Sequence, residues 1–249
     1  MEVLVCIKRV PDTGGKVTLT ADRRAIDARN LEFAISPHEE CAVEEAIRLT
    51  EAHGGQVTVL SLGPAETAEQ LREAIAKGAH QGILLESNSD DWDSQTTSQA
   101  ILSAIRDKKF DLLLFGNEAA DAGQYQVGPR VATLLKAPCA TGIKALRIQD
   151  GKAIAKRQEG NDWAVFELPL PAVITVKEGI NKPRHPSLRG IMAAKRAPIA
   201  RIPLEKPAPS MAHKALKLPQ ESQGQLTMLG EGKAAVPALV DALKALGVL

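Results

Sequence analysis

Chemically informative residues are concentrated in residues 110–129, which read FDLLLFGNEAADAGQYQVGP. An apolar run stops at Gly116, a polar loop containing Gly123 follows, and Gly128 opens the next helical pattern. Open α/β sheets bind ligands at the carboxyl ends of their strands, and the first turn of a helix offers unpaired N–H groups to an anion. The pattern therefore favours a phosphate cradle made by the main-chain amides of residues 126–128.

Two common phosphate-binding loops are missing from the chain. No GxGxxG follows a strand, and no GxxxxGK[ST] occurs, so neither a dinucleotide fold nor an NTPase loop is indicated. The loop also contains no lysine, which favours a nucleotide that is held over one that is hydrolysed. From the pattern alone, an ordinary connection whose glycines only serve the turn is an equal alternative.

Composition excludes several classes of protein. With 31 basic and 30 acidic side chains the formal net charge is +1, so no global field favours nucleic acid or an anionic membrane. The three cysteines, Cys6, Cys41 and Cys139, are never arranged as CxxC, which argues against disulfides and metal or iron–sulfur sites. A strand-like start and the lack of 18 consecutive apolar residues predict a cytoplasmic, soluble protein without membrane insertion.

The elements that position the loop alternate along the chain. Apolar, strand-like runs occur at residues 3–7, 57–62, 82–85, 111–115 and 170–176, with helical patterns between the first four. This order predicts a doubly wound, mostly parallel sheet of the α/β class. Short alternating runs at 145–148, 153–156 and 163–167, with Asp150-Gly151 between the first two, predict antiparallel edge strands.

Helix boundaries are readable from their flanking residues. Ser36 can cap the first helix, Pro37 suits its first position, and Glu39 can close a capping box, while Gly54 ends the helix. Further helices are predicted at 65–77, at 127–135, and from an Asp93 or Ser94 cap to about 107. After Pro203 the pattern is weak until 237–246, so we divide the chain into a 1–200 domain and an extended C-terminal arm, 201–249.

Four ordered motifs together resemble the β subunits of electron transfer flavoproteins. They are VCIKRVPD at 5–12, SP with AVEEA at 36–46, GNEAAD with QVGP at 116–129, and INKPR with SLRGI at 180–191. The resemblance implies an adenine-nucleotide α-hydrolase-like fold and a heterodimer, in which an α subunit holds most of the FAD and this chain holds a structural AMP. Such a pair carries electrons from flavin-dependent dehydrogenases to a quinone reductase or similar acceptor, and the β chain performs no bond chemistry itself.

Carried over position by position, the resemblance implies a nucleotide site at strand ends and helix starts. Its residues are Cys6, Ser36, Pro37, His38, Glu39, Leu62, Gly116, Asn117, Asp121, Gly123, Gln124, Gln126, Val127 and Gly128. Asp121 is a loop-stabilising acceptor or a ribose partner in this interpretation, because a carboxylate in contact with phosphate would repel it.

Several positions depart from the family pattern. AMP-binding members often carry Asn at Ser36 and Thr at Val127, and some carry Cys at Leu62, so side-chain contacts differ while backbone contacts remain. A branch that binds FAD in the β subunit and splits electron pairs shows DGDTAQVGP, where residues 121–129 here read DAGQYQVGP. Tyr125 stands where that branch has Ala, so AMP is favoured and a second FAD is the alternative. A stand-alone adenine-nucleotide enzyme or sensor is a third hypothesis.

The segment 180–194 resembles the family's recognition loop for partner dehydrogenases. The resemblance makes Leu188 an apolar anchor ringed by polar residues, with Ile191 and Arg184 beside it. Without the resemblance, packing of Leu188 and Ile191 onto the sheet would rank first. Lys182 and Arg184 could steer acidic partners or lie near the flavin of the α subunit. The arm from 201 to 249 is expected to pack on that subunit.

Overall fold

A computed structural model describes residues 1–12, 14, 17–88, 92–205, 214–218 and 226–249. By the density of its internal contacts the chain divides into two compact units, Met1–Ala215 and Leu216–Leu249. The first unit contains the sheet and five of the helices described below.

The sheet elements follow the predicted alternation. The strands are β1 (Glu2–Cys6), β2 (Arg9–Pro11), β3 (Phe33–Ile35), β4 (Gln56–Gly63), β5 (Gln81–Glu86), β6 (Leu112–Gly116), β7 (Cys139–Gln149), β8 (Lys152–Glu159), β9 (Asp162–Pro169), β10 (Ala172–Val176) and β11 (Ile199–Pro203). The helices are α1 (Pro37–His53), α2 (Ala68–Lys77), α3 (Ser94–Ile105), α4 (Val127–Leu135), α5 (Leu188–Ala194) and α6 (Val236–Ala245). Single 3₁₀ turns occupy Ala28–Asn30, Ala65–Thr67 and Gly232–Ala235.

Nine of the described strands form one sheet in the order β11-β5-β4-β1-β6-β10-β7-β8-β9. Every pair from β11 to β7 is parallel, and β7–β8 and β8–β9 are antiparallel. The predicted mostly parallel α/β sheet with antiparallel edge strands is confirmed. Asp150 and Gly151 both have positive φ, 50° and 72°, so the predicted hairpin turn between β7 and β8 has the twist that tight hairpins require.

Helices cover both faces of the parallel strands. Val3 and Val5 of β1 pack in one core cluster with residues of α1 and α2, while Leu4 and Cys6 pack in a second cluster with residues of α3 and α4. Successive strand side chains point to opposite faces, so a strand buried on both sides needs apolar residues at every position. The continuous apolar runs of the sequence reflect this double burial.

The predicted ends of the helices are mostly confirmed, with one correction. Pro37 is the first residue of α1, Gly54 ends that helix with a φ of 73°, and the Asp93 carboxylate caps α3 by accepting from the Thr96 N–H at 2.7 Å. The capping box at α1 is wrong, because Ser36 makes no side-chain cap bond. Its hydroxyl is used by the loop that follows β6, described below.

Sequence reasoning missed two short strand pairings. The β2–β3 hairpin is antiparallel and separate from the main sheet, and β11 pairs in parallel with β5. The predicted division at residue 200 falls inside β11, so the sheet continues past it. Both pairings join segments that are far apart in sequence, and such partners cannot be read from local periodicity.

The second unit contains α6, which matches the helical pattern predicted at 237–246. No residue of α6 is buried, and Leu226, Met228 and Leu246 are exposed. Much of the predicted arm, residues 206–213 and 219–225, lies outside the described part of the chain. No described helix combines the length and the apolar character needed to cross a membrane.

Candidate functional site

The predicted nucleotide residues meet at the carboxyl edge of the sheet. The strand order β4-β1-β6 brings together Leu62 near the end of β4, Cys6 at the end of β1 and Gly116 at the end of β6. Leu62 packs against the core cluster that contains Cys6. The start of α1 contacts the loop after β6 at this edge, so segments that are separated in sequence meet there, and we call the region between them the crevice.

Gly116 allows the loop after β6 to pass close to the start of α1. A Cβ at this position would lie 2.6 Å from Cγ and 3.1 Å from the backbone nitrogen of Glu39, and 3.2 Å from Cβ of His38. A Cβ contact of 2.6 Å is essentially never seen in folded proteins, so a side chain here would push the loop and the helix apart. Glycine is therefore required here because the two segments approach closely. Its backbone conformation is not the reason, because its φ is not positive.

Glu39 is a buried carboxyl group in the floor of the crevice. Its carboxylate accepts a short hydrogen bond from the backbone N–H of Lys8. Burial raises the pKa of Glu39 to about 8, because the charged form loses its hydration. Burial, with the nearby Glu39, also raises the pKa of the Cys6 thiol. Burial therefore favours the uncharged forms of both Glu39 and Cys6.

His38 also lies at the start of α1. Burial lowers its pKa, because the imidazolium form would lose hydration. Its Nδ1 is buried and has no hydrogen-bond partner among the described residues. An unpartnered buried nitrogen is costly, so this atom is suited to accept or donate a hydrogen bond to a bound group.

Asp121 holds the loop to the segment after β1. The Lys8 ammonium contacts both carboxylate oxygens of Asp121, at 2.9 and 2.6 Å. This ion pair fits the loop-stabilising role considered for Asp121. Sequence reasoning did not include Lys8 in the site, although it stands in the first motif, because nothing in the local sequence shows that it reaches a loop more than a hundred residues away.

Ser36 fixes the same loop from the other side. Its hydroxyl accepts from the Ala120 N–H at 3.2 Å and lies 3.5 Å from the Glu118 carbonyl, to which it donates. The hydroxyl is thus committed to the loop and not to the first turn of α1. Together with the Lys8–Asp121 pair, it binds the loop at Glu118, Ala120 and Asp121 to the start of α1 and to the segment after β1.

Asn117 is tied to the neighbouring strand β10. Its backbone N–H donates to the Val176 carbonyl at 2.8 Å, and its side-chain oxygen accepts from the Thr175 hydroxyl at 2.8 Å. The Thr175 oxygen in turn accepts from the Gly142 N–H at 3.0 Å. Because the amide oxygen is occupied, the NH₂ group of Asn117 is the part left to face a ligand.

The start of α4 has the geometry expected of an anion site. Val127 is its first residue, and neither Val127 N–H nor Gly128 N–H has an acceptor within the described part of the chain. A Cβ at Gly128 would lie 2.7 Å from Cγ2 of Thr175, so glycine lets the helix start approach the sheet closely. Two free donors at a helix start attract an anion such as phosphate.

Other predicted residues support the loop without facing the crevice. The Gln126 side chain accepts from the Arg130 guanidinium at 2.9 and 3.0 Å, so it runs along α4. The Gln124 side chain makes a short contact with the Ser94 hydroxyl at the start of α3. Gly123 has a φ of 54°, which glycine adopts without strain.

A cavity of about 330 Å³ lies beside the loop, between it and the β7–β8 hairpin. It is lined by Asn117, Tyr125, Pro129, Thr141, Gly142, Arg157, Gln158 and Lys177. Two of these side chains are cationic and none is a carboxylate. The cavity therefore favours a polar or anionic group. Among the described residues, no group of three or more His, Cys, Asp or Glu side chains could hold a metal ion.

The predicted recognition residues lie apart from the crevice, on α5 and the segment before it. Leu188 is 78% exposed and Ile191 is 40% exposed, so neither is a core residue. Met192, which sequence reasoning did not select, is 54% exposed. Arg184 is bound within the chain to Glu44 and Glu51 of α1. The alternative in which Leu188 packs onto the sheet is therefore wrong.

Comparison with known proteins identifies the family. The sequence-family model described as the electron transfer flavoprotein domain matches residues 25–207 of this chain. The electron transfer flavoprotein subunit beta of Bacillus subtilis is 39% identical over 207 residues, covering 82% of this chain and 80% of that protein. The acryloyl-CoA reductase electron transfer subunit gamma of Anaerotignum propionicum is 31% identical over 263 aligned positions, covering 98% of both chains.

A third relative is a subunit of the caffeyl-CoA reductase-Etf complex of Acetobacterium woodii. It is 34% identical over 204 residues, covering 80% of this chain and 77% of that protein. The matched region includes α1, the loop after β6, α4 and α5, and thus most of the crevice described above. The chain therefore belongs to the electron transfer flavoprotein family, as a β-type subunit that serves in electron transport.

Proposed function

We propose that this chain pairs with an electron transfer flavoprotein α subunit and holds a structural AMP in the crevice at the carboxyl edge of its sheet. The pair would carry electrons from flavin-dependent dehydrogenases to a quinone reductase or similar acceptor, with the redox FAD held mainly by the α subunit. In this proposal the chain performs no bond chemistry of its own.

The start of α4 is the observation that carries the AMP assignment. The N–H groups of Val127 and Gly128 would bind the phosphate. Lys8, which another segment brings to this loop, is paired with Asp121 and is therefore not free to assist phosphoryl transfer. A nucleotide bound in this way would order the loop and not react.

A second FAD in place of AMP is the alternative, and the 330 Å³ cavity beside the loop favours it. Lys177 and Arg157, which also pairs with Glu159, could bind the second phosphate group that a dinucleotide such as FAD has and AMP lacks. Tyr125 argues against a second FAD. Its bulky side chain lines the same cavity and takes up space that a larger ligand would need, and its backbone has a φ of 58°. We therefore favour AMP.

Acid extraction of the purified heterodimer followed by chromatography tests the assignment. We expect one AMP and one FAD per heterodimer. Two FAD and no AMP would establish the alternative, and the lack of any adenine nucleotide would contradict both. Measurable ATP turnover by the purified chain would instead support a stand-alone adenine-nucleotide enzyme.

Docking through Leu188 is the second part of the proposal. An exposed leucine in a polar surround contributes to binding by filling a partner's apolar pocket. Leu188→Ala should raise the KM of a partner dehydrogenase for this protein about tenfold, with kcat and the flavin spectrum unchanged. Leu134→Ala, which truncates an exposed leucine of α4, is the matched control. Equal KM values for both variants and the wild type would contradict the docking role.

A further inference from the structure

We propose that Arg184 is a positioning residue, which holds the segment before α5 on α1 so that the docking side chains of α5 are presented in one fixed orientation. The inference rests on the proposed docking role of Leu188. It assigns Arg184 an indirect part in partner recognition, through the helix that it anchors and not through contact with the partner.

The segment before α5 is bound to α1 by several hydrogen bonds. The Arg184 guanidinium donates to Glu44 Oε2 at 2.9 Å and to the two carboxylate oxygens of Glu51 at 2.7 and 3.0 Å. Glu44 is buried, and it also accepts from the backbone N–H of Arg184 at 3.1 Å. The Asn181 amide donates to the Cys41 carbonyl at 3.0 Å and to Glu45 at 2.9 Å.

The helix itself is bound to α2 at its middle and its end. A Cβ at Gly190 would lie 2.2 Å from the Ala76 carbonyl oxygen, so the two helices are in backbone contact there. The Arg72 guanidinium donates to the Ala194 carbonyl at 2.7 Å. Ser187 caps the helix by accepting from the Gly190 N–H at 3.0 Å.

These anchors matter because α5 has only seven residues. Helices this short are not stable in water by themselves, so the contacts with α1 and α2 must supply the order. Leu188 and Met192 lie at positions i and i+4, on one face of the helix, and both are exposed. A preformed apolar pair avoids the cost of ordering on binding, which raises affinity for a partner.

A direct contact between Arg184 and acidic groups of the partner is the competing explanation. The two explanations predict opposite effects of removing Glu51, which is exposed and paired with Arg184. If Arg184 anchors α5, loss of Glu51 weakens docking, because the anchor loosens. If Arg184 attracts an acidic partner, loss of Glu51 strengthens docking, because a competing negative charge disappears.

The test uses the purified heterodimer and a flavin-dependent dehydrogenase that reduces the wild-type protein. Glu51→Gln should raise the KM about threefold without changing kcat, and amide hydrogen exchange in residues 188–194 should accelerate. Glu167→Gln is the matched control, since it removes an exposed carboxylate from an ion pair with Lys152 on the β8–β9 hairpin and leaves the anchor of α5 unchanged. A KM for Glu51→Gln equal to or below the wild-type value would overturn the proposal.

A double-mutant cycle separates this inference from the docking role itself. On a Leu188→Ala background, Glu51→Gln should have little further effect on KM, because both changes act through the same apolar contact. Additive effects would overturn the positioning role while leaving the docking role standing. A Leu188→Ala protein with wild-type KM would contradict the docking role directly.

Discussion

At the scale of single residues, the buried Glu39 makes the stability of the folded protein depend on pH. Its folded-state pKa of about 8 lies above its ordinary value of 4.5, so the folded protein keeps a proton that the unfolded chain releases. The folded state then binds more protons between about pH 4.5 and about pH 8. The stabilisation that Glu39 contributes is fully present below pH 4.5. It is lost as the pH rises from 4.5 to about 8.

Glu39→Gln should therefore remove part of the loss of stability at alkaline pH. The amide is uncharged at all pH values and can still accept from the Lys8 N–H. We expect the variant to be more stable than the wild type above pH 8 by a few kcal/mol, at most about 1.4 kcal/mol per pH unit across the window. Urea unfolding at pH 5, 7 and 9 measures this. Parallel pH profiles for the two proteins would show that Glu39 is ionised in the folded state.

The Lys8–Asp121 pair is a second residue-level feature, and it links the loop to β1. The pair is partly exposed, so its removal should cost no more than about 1 kcal/mol of global stability. Lys8→Met should nevertheless weaken AMP binding roughly three- to tenfold, because the loop loses an anchor and the unneutralised Asp121 carboxylate adds negative charge to the site of an anionic nucleotide.

Calorimetric titration of nucleotide-free protein with AMP measures the effect of Lys8→Met. Lys152→Met removes a comparable surface ion pair, with Glu167, on the β8–β9 hairpin and serves as the control. If both variants bind AMP equally well, the loop does not depend on Lys8.

At the scale of elements, β11 completes the edge of the sheet. It pairs with β5, whose residues Ile83, Leu84 and Leu85 are buried. Without β11 the unpaired backbone groups of an apolar strand would face solvent, which promotes edge-to-edge association. We therefore expect the short run IARIP to protect β5 from edge-to-edge association.

A chain ending at residue 196 should therefore aggregate, whereas one ending at Ala215 should stay monodisperse. The second end point is the boundary of the first compact unit, so it keeps β11 intact. Size-exclusion chromatography with light scattering compares the two. Equal behaviour would mean that β5 tolerates a free edge.

At the scale of the whole molecule, the second unit carries exposed apolar side chains. Leu226, Met228 and Leu246 are exposed, and α6 has no buried residue. Several exposed apolar side chains in one short segment are typical of a surface that contacts another protein. The proposed occupant is the α subunit.

The chain ending at Ala215 should keep the fold and bind AMP, but pair with the α subunit at least tenfold more weakly than the full chain. The expected loss follows from removing several apolar side chains from an interface. Co-purification with a tagged α subunit and calorimetry of the mixed chains provide the measurement. Undiminished pairing would place the interface entirely within residues 1–215.

Sequence alone determined the class of the fold and the edge of the sheet at which the loop after β6 lies. Apolar runs such as residues 111–115, and stop signals such as Gly54 and Asp150-Gly151, are local features, and the physics that they report acts within a few residues. The order of strands and helices then placed the loop after β6 at the carboxyl edge of the sheet.

Tertiary structure decided how the crevice is held together. Whether Ser36 caps its own helix or binds Ala120, and whether Lys8 reaches Asp121, depends on segments that meet only after folding. The same holds for Arg184, which is bound to Glu44 and Glu51, and for β11, which adds a strand to β5. Long-range hydrogen bonds and ion pairs leave no periodic trace in sequence, because each partner satisfies its local propensity without the other.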